Sequence, residues 1–203
     1  MRALVTGFDP FGGDAINPSY EAVRRLPARI GTLDVATAEL PTSFRAATPK
    51  LRALIKRERP DIVLCVGLAA DRNVISVERI AVNLAHARVA DNDGARPVEK
   101  PVIVRAPAAY FSTLPVHDIV AALMHKGLNA EMSLSAGTFV CNHVFYGLMH
   151  LIARRQRETR VLHAGFVHVP ALPSTRAARE VRLHELVEAL EIVLDVTRRC
   201  RTK

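Results

Sequence analysis

Cys141 stands where an apolar run, residues 131–136, passes through Ala136-Gly137 and enters a helical pattern. A thiol at a helix N-terminus meets the positive end of the helix dipole, which favours the thiolate, the form that acts as a nucleophile. The plain alternative is a small buried core residue, the usual fate of a free cysteine. Cys65, inside the apolar run IVLCVG, reads as core, and Cys200, in the basic tail, as exposed. A thiol nucleophile needs a base to hold its proton. Of the eight histidines, His168 is the best placed, because it follows the apolar run RVLHAGFV and precedes Pro170. That puts it at the C-terminal edge of a strand, where ligand crevices open in α/β sheets. His163 lies inside the same run and reads as a packed imidazole.

Other chemistry-bearing patterns are weaker. SLSAG at 133–137 is one glycine short of a serine nucleophile elbow, which leaves Ser135 as a second candidate nucleophile. HELVE at 184–188 misses the zinc-peptidase pattern at its last residue, and His143 and His150 share a helix face without a third ligand. No metal site and no cofactor is expected. Glu78, within ISVERIAVN, is either half-buried and partnered or on the polar face of a strand, with Arg79 on the opposite face. For Arg88 the simplest reading is an ion pair with Asp91 or Asp93. The N-terminal stretch LVTGFDPFGGD has the glycine spacing of a phosphate loop, Gly7 and Gly12, but Gly13 and Asp14 stand where Lys and Ser/Thr belong. An anion there would meet Asp9 and Asp14, and the loop carries two phenylalanines, Phe8 and Phe11, that phosphate has no use for.

The elements that must position these residues follow from the pattern. At 203 residues and 49% hydrophobic content, the chain suits one domain with a sizeable core. Strand-like runs at 3–6, 33–40, 61–66, 101–104, 131–136 and 161–167 alternate with helix-like segments, which is the signature of an α/β fold. Asn17-Pro18 reads as cap and first residue of a short helix over 17–26, and helices follow at 43–58, 142–155 and 174–199. Asp61 leads into a run dense enough for a central strand covered on both faces. Residues 71–115 are irregular, with ADNDGARP a turn whose flanks could pair as a hairpin. The net charge of +8 is spread along the chain apart from Arg154, Arg155, Arg157 and Arg160, a group that suits a solvated helix end better than a nucleic-acid footprint. No apolar run approaches a membrane span and no basic-then-apolar leader opens the chain, so a cytoplasmic protein is expected. Three cysteines, an odd number without close spacing, argue against a disulfide framework.

Four motifs in order, VTGFDPFGG followed by NPS, GLAADRNVISVERIAVN with ARVADNDG, SLSAGTFVCN, and HAGFVHVPALP, resemble those of the type I pyroglutamyl peptidases. These are cysteine peptidases that remove an N-terminal 5-oxoproline. The resemblance covers nearly the whole chain. It implies a single three-layer α/β/α sandwich over 1–203 with a mostly parallel central sheet. It also implies a triad of Cys141 as nucleophile, His168 as base and then acid, and Glu78 as orienter of the imidazole. Arg88 would help form the oxyanion hole with the backbone N–H of Cys141. Phe8 and Phe11 would line the pyroglutamyl pocket, with Phe139 and Val140 as neighbours and Asn17 holding the loop or ring. The implied partners are peptides with an N-terminal pyroglutamate, with no nucleic acid or membrane, and a homotetrameric assembly. Ala70-Asp71, Ala90 and Arg96 depart from the family pattern, which bears more on affinity than on chemistry. The competing readings are a serine hydrolase using Ser135 and a nucleotide- or nucleic-acid-binding α/β module.

Overall fold

The computed structural model describes residues 1–154 and 160–200. In chain order its elements are β1 (Arg2–Phe8), α1 (Pro18–Val23), β2 (Arg29–Ile30), β3 (Leu33–Leu40), α2 (Ala47–Glu58), β4 (Ile62–Leu68), β5 (Ile75–Glu78), β6 (Ile80–Val82), β7 (Ala109–Phe111), α3 (Val116–His125), β8 (Ala130–Ser133), α4 (Val140–Arg154), β9 (His163–Val169) and α5 (Arg176–Arg199). Seven strands form one sheet in the order β2-β3-β1-β4-β9-β5-β8. Strands β3, β1, β4 and β9 run parallel. Strand β5 enters antiparallel beside β9, β8 runs parallel to β5, and β2 closes the far edge antiparallel to β3.

The central strands have almost no polar face, because both faces are covered. Ala3, Val5, Leu64 and Val167 pack with Val23 of α1, Ile119 of α3 and Leu190 of α5. Leu4, Val63, Cys65 and Phe166 pack on the other face with Leu51 of α2 and Val144 of α4. Alternation along β4, odd-numbered residues one way and even-numbered the other, is what a strand buried on both sides produces. The result is the three-layer α/β/α sandwich, with a mostly parallel sheet.

Local chemistry sets the boundaries. Asn17 caps α1, its side chain accepting from the Ser19 N–H, with Pro18 at the first helical position. Gly7 is needed where β1 meets that helix, since a Cβ there would lie 2.5 Å from the Tyr20 backbone. Asp61, buried at the entry to β4, accepts from the Arg2 N–H at 2.7 Å and from Arg160 Nε at 2.5 Å. Arg160 is therefore part of the scaffold. Arg154 ends α4, and Arg155 and Arg157 lie outside the described residues.

Three expectations change. Residues 101–104 are not a strand: the Asn83 side chain accepts from the Ile103 N–H and donates to the carbonyls of Ile103 and Ala106, holding that backbone as a loop. The antiparallel ladder in this region is instead β6 with β7, Ile80 opposite Phe111, while the flanks of the ADNDG turn share one bridge, Ala85 with Lys100. Helix α3 was not anticipated, and the last helix begins at Arg176 after Thr175. No helix among the described residues is long and apolar enough to cross a membrane.

The two-stranded ladder is tied to α4 by Asn142, which is fully buried, accepts from the Val82 N–H and donates to the carbonyls of Val82 and Leu84. Truncation leaves three backbone groups without partners in a dry site. Asn142→Ala is expected to destabilise the protein by about 2–4 kcal/mol, read by urea unfolding; a midpoint shift under about 0.5 kcal/mol would mean that water replaces the amide.

Candidate active site

Strands β1, β4 and β9 end at one edge of the sheet, at Phe8, Leu68 and Val169. There the parallel pairing of β4 with β9 sets Gly67 directly beside His168. Helix α4 begins above this edge, and its second residue, Cys141, lays Sγ over Gly67. A Cβ on Gly67 would stand 2.8 Å from that sulfur and 2.8 Å from the Phe166 ring. Any side chain here would push the thiol away from the histidine strand. In sequence Gly67 looks like a residue that ends a strand, and nothing short of the fold reveals this role.

Glu78 reaches the same place from β5, whose antiparallel pairing sets it opposite Phe166 and on the same face as His168. His168 Nδ1 donates to Glu78 Oε1 at 2.8 Å, with both side chains buried. The acceptor is a carboxylate, so Nδ1 carries a proton, and in the neutral ring that leaves Nε2 as the acceptor. Arg72, which sequence reading passed over, donates from Nη1 to the same Glu78 oxygen at 2.8 Å. Burial opposes charge on Glu78, but the hydrogen bond and charge of His168, followed by Ser133 and Arg72, hold its carboxyl below the ordinary value.

Part of Cys141 reaches the surface, but Sγ is packed inward. Burial first, then the charge of Glu78, pushes the thiol up to about 12, against the pull of the helix end. As the second residue of α4, Cys141 has a backbone N–H with no acceptor inside the helix.

A cavity of about 330 Å³ has Cys141 in its lining and is walled by Phe8, Phe11, Asn17, Phe139 and Val140, with Gly12, Asp14, Ile16, Thr42, Leu68 and Ala70 completing it. Phe11 lies on Phe139 with ring centroids 5.1 Å apart, and Phe44 meets Phe139 edge-on at 5.2 Å. Asn17 is occupied in holding the loop: Oδ1 accepts from the N–H and hydroxyl of Ser19, and Nδ2 donates to the Asp9 carbonyl. Of the two acids that speak against a phosphate reading, Asp9 has a structural partner and Asp14 is exposed in the cavity lining. Asp9 Oδ1 accepts from the Thr42 N–H at 2.6 Å, and Asn92 Nδ2 donates to the Pro10 carbonyl at 2.9 Å. Asp91 accepts from the N–H groups of Phe44, Asp93 and Ala95, and Asp93 accepts from Ser43 Oγ.

Those contacts occupy the carboxylates proposed for Arg88, which is exposed and has no ion-pair partner among the described residues. Ser135 stands exposed in the turn before α4, where its hydroxyl accepts from the Gly137 N–H and no histidine contacts it among the described residues. His163 is buried in β9 with Nδ1 on the Thr113 carbonyl. Of the departures, Ala70 forms part of the cavity wall, Asp71 and Ala90 are exposed, and Arg96 donates to the Ala87 carbonyl. No group of three His, Cys, Asp or Glu side chains among the described residues is arranged to hold a metal ion.

The close approach at Gly67 predicts that Gly67→Ala lowers kcat by about 100-fold, because a shift of about 1 Å in a reacting group has that effect. Circular dichroism should show the fold retained; wild-type turnover would mean that the sulfur has room elsewhere.

Comparisons with known proteins agree with this architecture. The family model described as pyroglutamyl peptidase matches residues 1–199. A pyrrolidone-carboxylate peptidase of Gloeobacter violaceus is 48% identical over 204 residues, covering 98% of this chain and 97% of its own. One from Brevibacillus brevis is 43% identical over 200 residues, with 96% and 91% covered. The crystal structure of Bacillus amyloliquefaciens pyroglutamyl peptidase I, 41% identical, matches with a TM-score of 0.89 over 97% of this chain and 96% of that one. Pyrrolidone carboxyl peptidase from Thermococcus litoralis, 36% identical, also gives 0.89, over 97% and 92%. Likeness of this depth over nearly the full length places the chain in the pyroglutamyl peptidase family of cysteine peptidases.

Proposed function

We propose that the protein hydrolyses the bond after an N-terminal pyroglutamyl residue, with Cys141 as nucleophile, His168 as general base and acid, and Glu78 as orienter of the imidazole. The observation that carries this reading is the phenylalanine-walled cavity that Cys141 helps to line, beside a histidine held by a buried carboxylate. A pyroglutamyl ring is flat, compact and uncharged. Phenylalanine walls suit it, and Asp14 is the single carboxylate in the lining.

In the proposed cycle the thiol proton passes to His168 Nε2 as sulfur attacks the pyroglutamyl carbonyl carbon. Charge gathers on the carbonyl oxygen, where the free Cys141 N–H and the Arg88 guanidinium stabilise it. Arg88 is available for this because its neighbouring acids are otherwise engaged. The C–N bond breaks as the imidazolium protonates the departing peptide amine, leaving a thioester. Water, losing a proton to His168, hydrolyses the thioester, releases pyroglutamate and returns the thiol. Phe8, Phe11, Phe139 and Val140 hold the ring, and Asn17 fixes the loop that carries the first two.

The free thiols of Cys65 and Cys141 favour a reducing compartment, and we assign the protein to the cytoplasm. A homotetramer is the assembly we infer from the resemblance; Val98, Val104 and Phe111 of the irregular 71–115 region offer exposed apolar surface for it.

Release of aminomethylcoumarin from its pyroglutamyl conjugate, with the prolyl conjugate as control, tests the activity. Turnover of the first, rejection of the second and loss of turnover in Cys141→Ser are expected. Phe11→Ala should raise KM by about tenfold, the value of one lost ring contact, and change kcat far less. Equal turnover of both conjugates, or full activity in Cys141→Ser, would sink the reading.

The resting thiol makes a separate prediction. With the sulfur protonated up to about 12, the thiolate fraction at neutral pH is small. Alkylation of Cys141 by iodoacetamide, followed by mass spectrometry, should rise about tenfold per pH unit from 6 to 9 without levelling. A plateau below pH 8 would show a preformed thiolate–imidazolium pair.

A further inference from the structure

We propose that Arg72 is a positioning residue for this reaction, acting through Glu78 and on the turn that leads to Cys141, an inference that rests on the roles assigned above to Cys141, His168 and Glu78. Its guanidinium spans two segments. Nη1 donates to Glu78 Oε1 at 2.8 Å and to Ser133 Oγ at 3.3 Å, and Nη2 donates to the Ser135 carbonyl at 2.8 Å. Glu78 ends β5, whereas Ser133 ends β8 and Ser135 opens the turn through Gly137 into α4. One planar fork thus ties the carboxylate to the segment in front of the proposed nucleophile. A lysine, a point charge on a flexible stem, can hold one of these partners but not the fork geometry.

The carboxylate depends on that fork because its hydrogen bonds are lopsided. Oε1 accepts from both Arg72 and His168, while Oε2 is buried with no hydrogen-bond partner among the described residues. The terminal torsion of a glutamate is soft. Without the guanidinium the carboxylate is free to turn, and the imidazole loses its fixed direction. Arg72 also supplies charge. Among the described residues, the titratable and charged groups that act on Glu78 are Cys141 on α4, His168 on β9 and Arg72 itself, and of these only Arg72 is a permanent cation. Its own backbone N–H closes the turn on the Ala69 carbonyl, so the same residue anchors the segment whose Ala70 lines the cavity.

The test uses Arg72→Met, Arg72→Lys, Glu78→Gln and the double variant Arg72→Met/Glu78→Gln. For each, kcat and KM on the pyroglutamyl conjugate are measured from pH 4.5 to 9, with melting temperature as a control for folding. Arg72→Met is expected to lower kcat by about 10- to 100-fold, the scale on which outer hydrogen-bond partners act, with little change in KM. It should also move the acid limb of kcat upward by about one pH unit, because a carboxylate that loses its cation takes up a proton at higher pH. Arg72→Lys should restore the acid limb but only part of kcat. In the Glu78→Gln background, Arg72→Met should lower kcat by a smaller factor than in the wild type, because the route through Glu78 is already disabled and only the hold on the Ser135 turn is left to lose.

A folded Arg72→Met with wild-type kcat and acid limb would overturn the proposal. So would a double variant in which the two losses multiply in full. Should Arg72→Met fail to fold, wild-type kcat in Arg72→Lys overturns the role of the fork. Full activity in Glu78→Gln would remove the triad reading and this proposal together, whereas loss in Glu78→Gln beside an unaffected Arg72→Met removes this proposal alone.

Discussion

Burying an ionised carboxylate in the middle of a protein is unfavourable unless other groups hold its charge, and Glu78, with no exposed surface, is such a carboxylate. Two donors meet at one of its oxygens, His168 from the neighbouring strand and Arg72 from the turn before its own. Much of the surrounding architecture can be understood as what brings those donors there. Strand β5 has to run against β9 for a side chain two positions along to reach the histidine, and that reversal interrupts an otherwise parallel run of central strands. Strand β8 then lies beside β5 so that its end and the following turn fall within reach of the guanidinium.

The same carboxylate shapes the behaviour of the thiol. A negative charge close to a buried sulfur disfavours the thiolate, and this adds to the desolvation of Sγ over Gly67. In the proposed cycle the thiol proton passes to an imidazole whose other nitrogen is already committed to Glu78, so the acid that discourages a free thiolate is also the one that stabilises the imidazolium formed during transfer. A resting thiol is also less exposed to oxidation than a standing thiolate.

Much of this was legible in the sequence, for physical reasons. Runs such as IVLCVG and HAGFVHV announce strands covered on both faces, because a central strand has no solvent side to mark with polar residues. Asn17-Pro18 announces a helix start, because the cap and the missing proline N–H act within a few residues. The parts that stayed hidden depend on contacts between distant segments. Gly67 matters because Cys141 arrives from another element; Arg72 matters because Glu78 and Ser135 do; the 101–104 segment is a loop because Asn83 captures its backbone. Helix α3 is different: VHDIVAALMH carries Val116, Ile119 and Leu123 at helical spacing. Its signal was present and was obscured by the irregular stretch before it. How deeply a helix end is packed is likewise set by distant segments, so local sequence cannot show the burial that pushes the Cys141 thiol up.

The GFDPFGG loop shows how the absence of a cation can itself be informative. Asp9 links its own loop to Thr42, and Asp91 holds Phe44, so these two acids are committed to backbone N–H groups, while Asp14 stands exposed at the cavity. With Phe11 and Phe44 both set against Phe139, the loops close around an aromatic wall that is fixed at its base by charge-assisted hydrogen bonds. Rigid aromatic walls discriminate by shape, and an uncharged ring that fits gains burial without desolvating an ion. A lysine in this loop would have introduced a hydrated charge beside that wall. The two phenylalanines that a phosphate cradle has no use for are the ones that wall this pocket.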